Sequence, residues 1–134
     1  MNNQTVYLAV RAHFTAPGAR LSVDDNGDCY YRHPEDLAEG LPSSQVRKCA
    51  AGCTMPDDLY EAVSKHESIE GTAWNTVADY CFNADAATTQ NLYGDVDVQL
   101  MMEMQNAHDN SSDTERFVAK LDEIARKYDL VVPA

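Results

Sequence analysis

Hydrophobic and polar positions alternate along the first part of the chain, from residue 5 to residue 14. A period of two that is carried by β-branched and aromatic residues is typical of a strand with one buried side. The pattern therefore predicts a strand, whose inward face holds Val6, Leu8, Val10, Ala12 and Phe14.

The dipeptide Asn26-Gly27 lies between two further extended runs, residues 21 to 23 and residues 29 to 32. Asn-Gly is the strongest short-range signal for a β-hairpin, because both residues accept a positive φ. The N-terminal part of the chain is therefore predicted to fold as a three-stranded antiparallel meander.

Helical signals dominate other parts of the chain. Residues 34 to 39 are predicted to form one short helical turn, and Pro56 followed by two aspartates opens a helix that ends near His66. An apolar stripe at helical spacing predicts a second helix after Gly71. Residues 114 to 128 are predicted to form an amphipathic C-terminal helix with charge pairs on its outer face.

Residues 95 to 105 satisfy two patterns. Apolar residues occupy the even positions from Val96 to Met104, and most of the odd positions are polar, which favours a strand. The methionine-rich end of the run also suits a helix, so the helix remains the alternative.

Together these elements predict an α+β fold. It consists of an antiparallel sheet of three to five strands with two to four helices packed on one face, and the C-terminal helix closes the core against Val6, Leu8 and Val10. The length of 134 residues and a hydrophobic content of 44% predict a single globular domain, residues 1–134.

The N-terminus lacks the basic and apolar regions of a secretory signal, and no run approaches the roughly 20 apolar residues of a membrane span. We therefore predict a cytoplasmic protein without a membrane partner. Thiols stay reduced in that compartment, so the four cysteines are read as thiols rather than as disulfides.

Two alternatives rest on these cysteines. Cys49 and Cys53, together with Cys29 and Cys81, could supply thiolates to a structural zinc ion. The spacing is wider than in common zinc sites, so no metal and no cofactor are predicted. A small enzyme with Cys49 or Cys53 as nucleophile is the other alternative, although the sequence contains no catalytic motif and no catalytic residue is predicted.

Charge is the most informative feature of the composition. The formal net charge is −12, and between Lys65 and Arg116 there are ten acidic residues and no lysine or arginine. A field of one sign repels nucleic acid and anionic membrane and attracts basic surfaces. Direct binding of nucleic acid is therefore not expected.

If residues 95 to 105 form a strand, alternate acids lie about 6.6–6.8 Å apart and form a row of carboxylates. Exposed apolar side chains beside such a row would supply binding energy that charge alone does not. The predicted partner-binding residues are Glu67, Glu70, Asp79, Asp85, Asp95, Asp97, Met101, Glu103 and Asp109.

From these features we predict a small acidic interaction protein that binds a basic protein surface. Its most concrete form is a nucleic-acid mimic that inhibits a complex acting on DNA or RNA. Anti-restriction and anti-CRISPR proteins of phages and plasmids are acidic and small in this way, and the link is one of charge and size only. The simpler alternative is a solvated acidic surface that keeps the protein in solution.

Overall fold

The computed structural model describes residues 1–66, Glu70 and residues 93–134. Six α-helices lie in these residues: α1 (Asn3–Thr15), α2 (Pro34–Ala38), α3 (Ala50–Thr54), α4 (Asp57–His66), α5 (Val98–Asp109) and α6 (Thr114–Lys127). A short 3-10 helix, Ser43–Gln45, precedes α3.

The core lies where α1, α3, α5 and α6 meet. Helix α1 packs on α3 and α6, and α5 packs on the same two helices. Tyr93 and Leu59 add fully buried side chains from outside this group. The four helices bury Val6, Val10, Phe14, Ala50, Ala51, Leu100, Met104, Phe117, Leu121 and Ala125.

The predicted strand at residues 5 to 14 is wrong, because this segment is helix α1. Asn2 caps the helix: its side chain accepts the N–H of Thr5, and the Thr5 hydroxyl accepts the N–H of Asn2, each at 2.9 Å. Val6 and Val10 also satisfy a four-residue helical spacing, and both are fully buried. Leu8, which the strand would have turned inward with them, is exposed.

The predicted meander is also wrong, although its Asn-Gly turn forms. Gly27 has a φ of 82°, and Asp24 and Asp28 are joined across the turn by a backbone hydrogen bond of 3.0 Å. Val23 and Cys29 pair there only as an isolated bridge. In the described part of the chain no bridge extends into a sheet, so the α+β class and the sheet of three to five strands are replaced by a helical fold.

The strand favoured for residues 95 to 105 is wrong as well, and the helical alternative is correct. Asp97 caps α5 by accepting the N–H of Gln99 at 2.8 Å. Leu100, Met104 and His108 then follow one another at four-residue spacing, and all three are buried. A period of four fits the buried side better than a period of two.

Three predicted helices are confirmed. Helix α2 and helix α4 lie where the sequence placed them, and α6 begins at Thr114 and ends at Lys127. Helix α6 packs on α1 as expected, although Leu8 takes no part in the core. The helix predicted after Gly71 lies outside the described residues. None of the described helices has the length and apolarity that crossing a membrane requires.

Candidate interaction surface

The charged side chains form two groups, an inner one and an exposed one, which differ in net charge. Among the residues whose burial the structure describes, five acids and five cations are buried or half-buried, so their formal charges cancel. The acids are Asp24, Asp36, Glu70, Glu103 and Asp122, and the cations are Arg11, Arg32, Arg47, Lys48 and Lys120.

The exposed group carries all of the remaining charge. Among the residues whose burial the structure describes, fourteen acids and four cations are exposed, which gives 4 − 14 = −10. The acids are Asp25, Asp28, Glu35, Glu39, Asp57, Asp58, Glu61, Asp95, Asp97, Asp109, Asp113, Glu115, Glu123 and Asp129. The cations are Arg20, Arg116, Arg126 and Lys127. The net negative charge of these residues therefore lies entirely on the exposed side chains.

Arg47 and Asp36 form one of the inner pairs, with three hydrogen bonds between them. The guanidinium donates to both carboxylate oxygens at 3.0 Å, and the backbone N–H of Arg47 adds a contact of 2.8 Å. The hydrogen bonds from Arg47 lower the pKa of Asp36 to about 2. A carboxylate bound in this way is not available to an outside partner.

Arg32 is buried more deeply, with an exposed fraction of 6%. It donates to the carboxylate of Asp57 at 2.8 Å and to the carbonyl oxygen of Met55 at 3.2 Å, and it lies 4.4 Å from the centre of the Tyr60 ring. Its Nε atom has no hydrogen-bond partner among the described residues. Sequence reasoning missed this burial because arginine is ordinarily a surface residue.

Glu70, a predicted partner-binding residue, faces the protein itself. Its carboxylate accepts the backbone N–H groups of Tyr31 at 3.0 Å and Arg32 at 3.1 Å, and the hydroxyl of Tyr60 at 3.1 Å. Burial raises the pKa of Glu70, and the hydrogen bonds from Arg32 and Tyr31 oppose that rise. Glu70 therefore holds parts of the protein together and does not belong to the exposed negative charge.

The other predicted residues divide between surface and core. Asp95 and Asp97 are exposed, at the entrance to α5. Met101 is fully buried, so it offers no apolar anchor at the surface. Glu103 is half-buried and is bound by Lys127 and by the hydroxyl of Tyr128. The row of alternating carboxylates does not exist, because its strand is a helix.

Glu67, Asp79 and Asp85, which the sequence also placed on this surface, lie outside the described residues.

Asp109 belongs to a cluster that the sequence did not indicate. The Cys29 sulfur, a ring nitrogen of His108 and a carboxylate oxygen of Asp109 lie within 4.8 Å of one another. Gln105 also donates to Asp109, at 2.8 Å. Cys29 precedes the other two by about 80 residues, so spacing could not reveal the group.

These three side chains are potential metal ligands, but the ring of His108 is in the wrong state. Its Nε2 accepts the buried N–H of Ser22 at 3.1 Å, which leaves the ring proton on Nδ1 for donation to Asp109 at 3.0 Å. Metal-bound histidine normally donates an N–H from its other nitrogen. A metal on Nδ1 would place that N–H against the N–H of Ser22, so the residues do not fit a metal.

The thiols in the described part of the chain are poorly suited to nucleophilic or metal chemistry. Burial raises the pKa of Cys53 to about 12 and that of Cys49 well above its usual range. Burial also raises the pKa of Cys29 to about 12, helped by its hydrogen bond to Asp109. Thiols with such values stay protonated near neutral pH, and the thiolate is the reactive form.

The cysteine cluster of the zinc alternative is not assembled in the described residues. Cys49 caps α3 by accepting the N–H of Gly52 at 3.4 Å. Cys49 and Cys53 belong to no group of three potential ligands there, and Cys29 lies with His108 and Asp109 instead. Cys81 lies outside the described residues.

Comparison of the chain with protein-family models, curated proteins and solved structures finds no match.

Proposed function

We propose that this protein binds a basic protein surface in the cytoplasm through its exposed carboxylates. The observation that carries the proposal is the division of charge: among the residues whose burial the structure describes, the inner charged groups balance and the exposed ones sum to −10. A field of this sign and size accelerates encounter with a positively charged partner.

The form of partner that fits best is a protein that itself binds DNA or RNA. Such proteins carry basic grooves that bind a polyanion through Lys and Arg. A compact acidic protein that occupies such a groove excludes the nucleic acid. We therefore propose inhibition of a nucleic-acid-handling complex, of the anti-restriction or anti-CRISPR type, as the biological role.

Asp95 and Asp97 are the predicted surface residues best placed to contribute. Both are exposed, and neither forms an ion pair within the described part of the chain. Among the described residues, the carboxylate of Asp97 accepts only the N–H of Gln99, as the cap of α5. Asparagine caps helices about as well as aspartate, so an Asp97→Asn change removes the charge and keeps the cap.

The test is capture of partners from a lysate of the source cells, followed by direct binding with the purified partner. Binding is measured at about 0.1 M and about 1 M salt, where the Debye length is about 10 Å and about 3 Å. We expect a basic nucleic-acid-binding partner, weaker binding at high salt, and displacement of a labelled DNA or RNA duplex from that partner.

The variant D95N/D97N should bind this partner more weakly than the wild type. The matched control E123Q/D129N removes the same formal charge from two other exposed positions. Binding that is insensitive to salt, or a partner that keeps its nucleic acid, would contradict the proposal. Equal losses in both variants would show that total charge, rather than the surface around α5, decides binding.

A further inference from the structure

A cavity of about 430 Å³ opens between residues 19–25, Arg47 and the start of α6. Its apolar lining comes from Ala19, Leu21 and Val23, of which Leu21 is buried. A volume of this size lies within the range of sites that bind small ligands or single side chains, about 300–1,000 Å³.

Carboxylates dominate the charged lining of the cavity. They belong to Asp24, Asp25 and Asp113. Of the two guanidinium groups that also line it, Arg47 is already neutralised by Asp36 at 3.0 Å. Arg20 is exposed and forms no ion pair among the described residues. Asp113 is paired in the same way with Arg116, whose Nε lies 3.8 Å from its carboxylate. The lining therefore carries about one negative charge in excess, from Asp24, Asp25 and the uncompensated cation of Arg20.

The three carboxylates differ in how far they are already engaged. Asp24 accepts two backbone N–H groups at 2.9 Å and the hydroxyl of Tyr30 at 2.8 Å. Asp113 caps α6 through the N–H of Arg116 at 2.8 Å. Asp25 has no hydrogen bond or ion pair within the described residues and is exposed. Its carboxylate is the group most available to a ligand.

We propose that this cavity receives an arginine side chain from the basic surface of the partner. The inference rests on the proposed function and deepens it by locating an anchor point. The aliphatic part of an arginine would lie on Leu21 and Val23, and its planar guanidinium would donate to the carboxylate of Asp25. An anionic ligand would meet an excess of carboxylates, so charge favours the cation.

The probe for the test is the peptide acetyl-Gly-Arg-Gly-amide, titrated into the isotope-labelled protein and followed by NMR. The same peptide with citrulline in place of arginine has nearly the same shape without the charge. We expect the arginine peptide to shift the amide signals of residues around the cavity, including Ala19 and Thr114. The citrulline peptide should leave them nearly unchanged.

Two variants separate shape from charge. Asp25→Asn removes the available carboxylate and should weaken binding of the arginine peptide roughly threefold, a size typical of one exposed ion pair. Ala19→Phe fills the cavity without changing charge and should abolish the local shifts. The control Glu123→Gln removes one charge from an exposed position that does not line the cavity, and it should bind like the wild type.

Equal binding of the two peptides would overturn the inference, and so would shifts spread over the whole acidic surface. Wild-type affinity in Asp25→Asn would do the same. Because the Asp25 side chain forms no hydrogen bond or ion pair with a described residue, this variant tests the inference even if Ala19→Phe fails to fold. If the peptide results fail while partner capture remains salt-sensitive, only the arginine site is wrong. If the peptide binds as expected and no basic partner is captured, the proposed function is wrong.

Discussion

The carbonyl oxygen of Tyr31 lies 2.2 Å from the position that a Cβ atom would occupy on Gly52. This approach brings α3 against the segment that carries Arg32 and His33, and only a residue without a side chain permits it. Gly52 is thus fixed by close contact and not by an unusual backbone angle, since its φ is not in the left-handed region.

Gly52→Ala should therefore destabilise the fold, by about 1–3 kcal/mol as for other overpacked sites. Alanine normally stabilises a helix by roughly 1 kcal/mol relative to glycine, so the expected sign is opposite to the helix propensity. Urea denaturation followed by circular dichroism measures the change. A gain in the free energy of unfolding would show that the contact is absent.

Asp36→Asn should destabilise the protein by about 2 kcal/mol at neutral pH, because it leaves the guanidinium of Arg47 without its main partner. The pKa of Asp36 falls from 3.8 to about 2 on folding. The extra stability of the wild type over Asp36→Asn should thus be complete above about pH 5. It should decline as the pH falls from 3.8 to about 2.

Glu35→Gln is the matched control for this pair. Glu35 also approaches Arg47, at 3.4 Å, but its side chain is 75% exposed, so its removal should change stability by less than about 1 kcal/mol. Thermal unfolding of both variants at pH 7 and pH 3 tests which carboxylate is the main partner of Arg47. Equal losses in the two variants would contradict the assignment of Asp36 as the main partner.

Glu70 should show the opposite dependence on pH. Burial raises its pKa above 4.5 in the folded state, so folding favours the protonated form. Its contribution to stability should be largest below about pH 4.5 and should fall as the pH rises through the folded-state pKa. The difference in unfolding free energy between the wild type and Glu70→Gln, measured from pH 4 to pH 8 in urea, tests this. A difference that grows with pH would refute it.

His108 should carry its proton on Nδ1 at neutral pH, because Nε2 accepts the N–H of Ser22. Nitrogen chemical shifts of the ring report the tautomer directly. Addition of an equimolar zinc salt should leave these shifts unchanged. Zinc on Nδ1 would put the ring proton on Nε2, where it would face the N–H of Ser22. Zinc-dependent shifts of His108 that disappear in Cys29→Ser would show that the cluster does bind metal.

The helices that could be predicted are those with local signals of their own. Pro56 and the aspartates after it mark the start of α4, and an apolar stripe with charge pairs marks α6. Helices α1 and α5 were predicted as strands because every second residue is apolar. In α1, Val6 and Val10 satisfy a period of two and a spacing of four equally, and the cap at Asn2 favours the helix. In α5 the cap at Asp97 favours the helix in the same way.

The surface was predictable in sign but not in arrangement. The excess of acids is visible in the sequence, whereas the burial of Arg32 and Lys48 depends on contacts that the chain forms only after folding. Met101 was expected at the surface because of the strand assignment, and the helix buries it instead. Packing partners distant in sequence decided each of these outcomes.

Asp122 of α6 accepts the hydroxyl of Tyr7 at 2.6 Å and the guanidinium of Arg11 at 3.0 Å, so it ties the last described helix to the first across more than 100 residues. During synthesis on the ribosome, α1 leaves long before α6 exists. Until then its apolar side, which includes Val6, Val10 and Phe14, lacks the part of its cover that α6 supplies. The core is therefore completed only after α6 has been synthesised.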